Sequence, residues 1–174
     1  MLYAIIGIIV LLLCLVLIII FNLRKVKEIK DSIIMCETNI GELLSEKKER
    51  INALIPLLDD KNLELDSDIT GLNIYEADEV LYKIFNKVQD IGENLIENKP
   101  RRKKKNAELA ISLKEAHILN EAIVGLKGFY DEKVRDLNLK FNKKFFAFIY
   151  RKFGYEEIEL FPKRKGKVLE ILKD

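Results

Sequence analysis

The side chains that could do covalent or metal chemistry are scattered along this sequence. Cys14 falls inside an apolar run, Cys36 lies on a helix-patterned stretch, and His117 is the single histidine. Thiolate or imidazole chemistry needs a base, an orienting group or further ligands beside such residues, and no motif supplies them. Glu76, Glu79, Asp131, Glu132 and Asp136 could transfer protons only in a pocket that drives their pKa values apart. At helical spacing they read instead as surface ion-pairing groups, Asp131 facing Arg135. Asp59, Asp60, Asn62, Asp66 and Asp68 crowd one segment, but the central glycine and closing glutamate of an EF-hand calcium loop are missing. With no nucleotide loop, metal spacing or nucleophile motif, no catalytic residue, metal ligand or cofactor is assigned, and the chain reads as non-enzymatic.

Two clusters could recognise something. Arg101, Arg102, Lys103, Lys104 and Lys105 are consecutive cations. They read as a solvated loop or as a contact for anionic lipid headgroups, where each basic residue near the surface is worth about 1 kcal/mol. Nucleic acid is disfavoured: the formal net charge is only +2, no aromatics interleave the run, and no reading module surrounds it. The second cluster, from Asn142 to Tyr155, mixes Lys143, Lys144, Arg151 and Lys152 with Phe145, Phe146, Phe148, Tyr150, Phe153 and Tyr155. It reads as an aromatic cap on a core, a docking patch for a partner protein, or a basic amphipathic helix on a membrane.

Both clusters are held by an all-helical framework. Residues 1–23 carry no charged side chain, and the stretch from Ala4 to Phe21 is almost wholly apolar. About 20 helical residues cross a hydrocarbon core of roughly 30 Å. No basic segment precedes the run and no small-residue cleavage site follows it, so an uncleaved anchor is expected over a signal peptide. Arg24, Lys25, Lys27 and Lys30 follow at once. The positive-inside rule then puts the N-terminus outside and the remainder in the cytoplasm of a single-pass cell-membrane protein.

Val26, Ile29, Ile33, Ile40, Leu44, Ile51, Leu54, Ile55 and Leu58 continue the helix as one apolar stripe, with a break expected at Pro56. The acidic stretch up to Asn73 forms a turn. A second helix runs from about Glu76 to Glu97 on Val80, Leu81, Ile84, Phe85, Val88, Ile91 and Leu95, and Pro100 closes it. The third carries Leu109, Leu113, Ala116, Leu119, Ile123, Leu126, Tyr130, Val134, Leu137 and Phe141, with Gly125 and Gly128 either weakening it or admitting a neighbouring helix. A short helix over 145–153 ends at Gly154. No alternating strand pattern competes. The expected fold is all-α: a transmembrane helix continuing into an antiparallel up-and-down bundle of three long helices plus a short C-terminal helix. Residues 1–23 form the anchor, 24–161 the cytoplasmic bundle and 162–174 a basic tail. An up, down, up path puts the aromatic cluster far from the bilayer, which favours a cap or a partner patch there.

Three segments carry a family resemblance. Arg50-Ile51-Asn52-Ala53-Leu54-Ile55-Pro56-Leu57-Leu58 resembles the Leu-Ile-Pro end of the first long helix in LemA family proteins. Phe129-Tyr130-Asp131-Glu132-Lys133-Val134-Arg135-Asp136-Leu137-Asn138 is similar to that family's Phe-Tyr-Asn-x-x-Val-x-x-Tyr-Asn run, with Asp131 and Leu137 as departures. Phe153-Gly154-Tyr155 with Glu159-Leu160-Phe161 resembles its Phe-Gly-Phe and closing acidic-aromatic segment, while the proline of its Phe-Pro pair is absent near Lys144-Phe145. The resemblance covers the first and last thirds and implies a bacterial, membrane-anchored helical bundle. It brings no enzymatic activity and no catalytic residues.

Two functions fit these observations. One is a scaffold whose exposed face or aromatic end recruits, spaces or regulates a protein partner at the membrane, with a second copy of the chain among the candidate partners. The other is a membrane-surface element that binds anionic lipid through the basic linker and tail.

Overall fold

The computed structural model describes residues 2–58, 69, 71–98 and 103–161. Most of the acidic turn, Arg101, Arg102 and the basic tail lie outside the described residues. Among the described residues there are four α-helices: α1 (Leu2–Leu54), α2 (Ile74–Asn98), α3 (Lys103–Phe141) and α4 (Lys144–Lys152). No strand occurs among the described residues, so the fold is an all-α bundle.

The end of α1, the start of α2 and the end of α4 have local causes. Pro56 cannot donate a backbone hydrogen bond, and α1 tightens there into a 3-10 turn over Ile55–Leu57, closed by Leu58 N donating to Ile55 O at 3.1 Å. The start of α2 is a capping box. Asn73 Oδ1 accepts from the backbone of Tyr75 (3.0 Å) and Glu76 (2.9 Å), while Glu76 Oε2 accepts from Asn73 N at 3.2 Å. The end of α4 is a Schellman motif. Tyr155 N donates to Tyr150 O and Gly154 N to Arg151 O, with Gly154 at φ 75° in the left-handed region.

Packing divides the chain into two compact units. The first joins Met1–Cys36 to Phe129–Leu160. Its core is Val26, Ile33 and Cys36 from α1, Tyr130, Val134, Leu137 and Phe141 from α3, and Ala147 and Tyr150 from α4. The Tyr150 ring meets Phe141 edge-on, with centroids 5.5 Å apart, and stacks on Phe146 at 6.0 Å. The segment after α4 is pinned to α3 by one side chain: Asn138 Nδ2 donates to Ile158 O (2.8 Å) and Ile158 N donates to Asn138 Oδ1 (3.1 Å). Within this unit the apolar start of α1 is the exception, for its most apolar 18-residue window is 0% buried.

The second unit joins Glu37–Gly128 to Phe161. Ile40, Leu44, Ile51 and Leu54 of α1 pack with Ala77, Leu81, Ile84, Phe85 and Val88 of α2 and with Leu109, Leu113, Ala116 and Ile123 of α3. Each fully buried aliphatic side chain contributes roughly 2 kcal/mol relative to exposure. Helix direction follows from the contacts. Asp78 meets Lys127 and Asn106 reaches Ile96, so α2 and α3 run antiparallel. Lys47 meets Asn120 and Arg50 meets Glu115, so α1 and α3 are antiparallel as well.

Helices α1 and α2 therefore run side by side in the same direction, and α3 runs against both. The order here is up, up, down, where the sequence suggested up, down, up. The reason is the connection after Leu58. Its fifteen or so residues reach up to roughly 3.5 Å each, which is ample for a return along the roughly 25 Å of α1 between Gly41 and Leu58.

Glycine roles also differ from expectation. A Cβ at Gly125 or Gly128 would meet nothing within 4 Å, whereas one at Gly92 would meet Leu113 Cδ1 at 2.8 Å. The close helix approach is thus between α2 and α3 at Gly92. Replacing Gly125 and Gly128 together by Ala should stabilise the fold by up to about 1 kcal/mol per site. Gly154→Ala should cost about 1 kcal/mol, because its φ is left-handed. Thermal unfolding of the full chain in detergent micelles, followed by circular dichroism, should show midpoints moving in opposite directions.

Candidate functional site

Helix α4 and its flanks form the most distinctive surface of the first unit. The buried side of α4 is Ala147 and Tyr150, with Phe146 partly covered. The outer side carries Phe145 (58% exposed) and Phe148 (62%), with Lys144, Arg151 and Lys152 also exposed, and Phe153 (63%) follows at the C-cap. The six aromatics expected to act together therefore split. Tyr150 is a core residue, Phe146 and Tyr155 are half-buried, and Phe145, Phe148 and Phe153 face outward. Burial pushes the Tyr150 phenol above its ordinary value of 10.0.

This helix lies against the early part of α1. Asn22 and Ile29 line one groove together with Asp136, Leu139, Lys140, Lys143, Phe146 and Tyr150. The ammonium of Lys30 sits 5.4 Å from the centre of the Tyr155 ring. Residues 22–30 of α1 follow directly on its apolar stretch, so the aromatic cluster is next to the foot of that stretch. The sequence suggested the opposite placement, and the helix order explains why. An up, down, up path cannot bring the end of α3 back to the start of the charged part of α1, whereas antiparallel packing of α3 on α1 does.

In the second unit the notable side chains are polar and buried. Lys47 is 0% exposed, Asp78 2% and Asn120 9%. Lys47 Nζ donates to Asn120 Oδ1 at 2.8 Å and lies 5.1 Å from the centre of the Phe85 ring. Asp78 Oδ2 accepts from Lys127 Nζ at 2.5 Å, and that ammonium lies 4.4 Å from the Phe161 ring centre. Phe161 in turn meets Tyr75 edge-on at 4.4 Å. Lys47, Asn120 and Lys127 occupy core-stripe positions in an otherwise apolar 3–4 repeat. Pattern reading passed over all of them because it weights apolar residue types. It took Leu119 and Leu126, one position away: Leu119 is half-buried where Asn120 is buried, while Leu126 and Lys127 are both half-buried.

The remaining candidates stay apart. Lys103, Lys104 and Lys105 are exposed on the first turn of α3, while Arg101 and Arg102 lie outside the described residues. Glu76 caps α2, Glu79 pairs with Lys83 at 2.6 Å, and Glu132 and Asp136 each lie 3.8 Å from Lys133. Cys14 is exposed, Cys36 is buried, and among the described residues no group of three His, Cys, Asp or Glu side chains could hold a metal ion. Ile111 (61% exposed) and Ile118 (57%), with the charged Glu115 between them in the same helical row, continue through exposed Ala122 and Gly125 as a largely apolar strip on the outer side of α3.

The two kinds of ion pair should respond differently to truncation. Asp78→Ala leaves the Lys127 ammonium largely buried without its carboxylate and should cost about 3 kcal/mol in urea unfolding. Glu79→Ala breaks a pair whose side chains are 63–72% exposed and should cost less than about 0.5 kcal/mol. Adding Lys127→Met to Asp78→Ala should recover much of the loss, because the stranded charge goes with it. No family model matches this chain, and no curated protein or solved structure matches it either.

Proposed function

We propose that this chain is a membrane-anchored, non-enzymatic interaction module. The start of α1 crosses the cell membrane once, and the helical units present a surface to a protein partner. The observation that carries the anchor is the contrast along one helix. The most apolar 18-residue window of α1 has mean hydropathy 3.6 and no burial, whereas from Val26 onward the same helix buries a regular stripe. A helix left apolar on every side needs an apolar solvent around it. Arg24, Lys25, Lys27 and Lys30 favour the cytoplasmic side for the remainder. The resemblance to LemA proteins in its first and last thirds points the same way.

The apolar strip on α3 supports the partner. Ile111 and Ile118 stand in solvent beside a core filled with Leu109, Leu113, Ala116 and Ile123. A solvated helix ordinarily keeps its outer side polar. A small-residue strip of this kind suits a helix from another protein or from a second copy.

Two measurements test the proposal. Orientation is read with His117→Cys, an exposed site, in a background with Cys14→Ala and Cys36→Ala. The thiol should resist an impermeant maleimide in intact cells and react after lysis; labelling of intact cells would reverse the orientation. Partner binding is read by photo-crosslinking in native membranes, with the probe at Ile118 or at Lys104. A discrete protein adduct at Ile118 is expected. Lipid adducts at Lys104 with nothing discrete at Ile118 would replace the scaffold by a membrane-surface element acting through its basic linker.

A further inference from the structure

The first unit places an exposed aromatic surface where an anchor would leave the bilayer. We infer that α4 is an interfacial membrane element: its outer aromatic residues enter the headgroup layer beside the anchor, and the groove beneath it faces lipid phosphates. This rests on the reading of α1 as a membrane span.

Depth comes first. The apolar run of α1 ends at Phe21, and the next residue, Asn22, lines the groove with Phe146 and Tyr150 of α4. Ile29, at the groove's other end, is eight residues past Phe21, or roughly 12 Å of helix. The headgroup layer of one leaflet is roughly 5–8 Å thick beyond the hydrocarbon. The near edge of α4 therefore falls within that layer if Phe21 marks the hydrocarbon boundary. The first cations, Arg24 and Lys25, follow within one turn of Phe21, and the Lys25 ammonium lies 4.5 Å from the Phe21 ring centre.

Composition comes second. The outer side of α4 is neither polar nor simply apolar. Phe145 and Phe148 are spaced three apart on the same side as Lys152, opposite buried Ala147 and Tyr150, and Phe153 follows at the end. Lys144 and Arg151 border that side. Aromatic rings next to long cations match an interface in which rings sit at the ester level and ammonium groups reach phosphates. Water on three large rings is unfavourable, and Phe145, Phe148 and Phe153 remain 58–63% exposed.

Charge comes third. The groove carries Lys140 and Lys143 beside the Tyr150 phenol, whose ring is 1% exposed. Its one acidic member, Asp136, lies 3.8 Å from Lys133. With two lining cations to one carboxylate the groove is net cationic, and the ligand chemistry it favours is a phosphodiester. In a chain anchored at Phe21, the headgroups of the same membrane are the phosphates within reach.

The chain has no tryptophan, so single-Trp variants of the full chain report depth directly. Phe148→Trp, Leu12→Trp and Ile118→Trp are reconstituted separately into equimolar phosphatidylcholine–phosphatidylglycerol vesicles containing lipids brominated near the headgroup end or near the middle of the acyl chain. All three sites are exposed, so the substitutions leave the core intact. Phe148→Trp should emit at shorter wavelength than Ile118→Trp and be quenched more by shallow than by deep bromines. Leu12→Trp should show the reverse depth order, and Ile118→Trp no quenching. If Leu12→Trp is quenched and Phe148→Trp is not, α4 stands off the membrane and the inference is overturned while the anchor survives. A blue-shifted Phe148→Trp that bromines do not touch overturns it in favour of a protein–protein contact. If Leu12→Trp is not quenched either, the anchor reading fails and takes the inference with it.

Discussion

The constraint on which the rest depends is the surface of α1. One uninterrupted helix is apolar on all sides at its start and carries a single buried stripe afterward. No single solvent suits both halves. The stripe runs Val26, Ile33, Cys36 in the first unit and Ile40, Leu44, Lys47, Ile51, Leu54 in the second, in steps of three, four or seven. That repeat decides which edge of α1 receives its neighbours. α3 carries the matching repeat through both units, so wherever the two helices meet, their contacts follow from this one period.

A repeat alone does not fix register, because apolar side chains slide past one another at little cost. The buried polar pairs do. Lys47 must find Asn120, and Lys127 must find Asp78; shifting α3 by one turn, about 5.4 Å, would strand all four. A buried ion pair adds little net stability over an apolar one. Wrong alignments would cost more, because they leave buried polar groups without these partners, as with a polar residue in the seam of a coiled coil.

Much of the helical framework could be read from the chain, and the failures have specific physical causes. The long helices, the break at Pro56 and the stop at Gly154 follow from period, ring closure and left-handed φ. Lys47, Asn120 and Lys127 were illegible because a core position is recognised by apolar type, and these are polar residues whose burial is made tolerable only by partners distant in sequence. On α3, Leu119 and Leu126 satisfy the same spacing as Asn120 and Lys127, and only the position of the neighbours separates the two choices. Helix direction was illegible for another reason: an apolar stripe reads the same in both directions, and a long connection between α1 and α2 allows either.

Direction, more than any single residue, changes what the aromatic cluster can do. Composition marked residues 142–155 as unusual, yet their role turned on whether α3 comes back toward the foot of the apolar stretch. In the first unit it does, with Asn22 and Ile29 sharing a groove with Lys140, Lys143 and Tyr150. Burial then sorts the aromatics by job. Tyr150 meets Phe141 edge-on and holds α4 to α3, and that hold leaves Phe145 and Phe148 turned outward on a fixed support. Rings on a rigid helix lose less conformational freedom on meeting a membrane or a partner than rings on a free tail would. The Schellman turn at Gly154 and the paired hydrogen bonds of Asn138 to Ile158 supply that rigidity from the far side of α4.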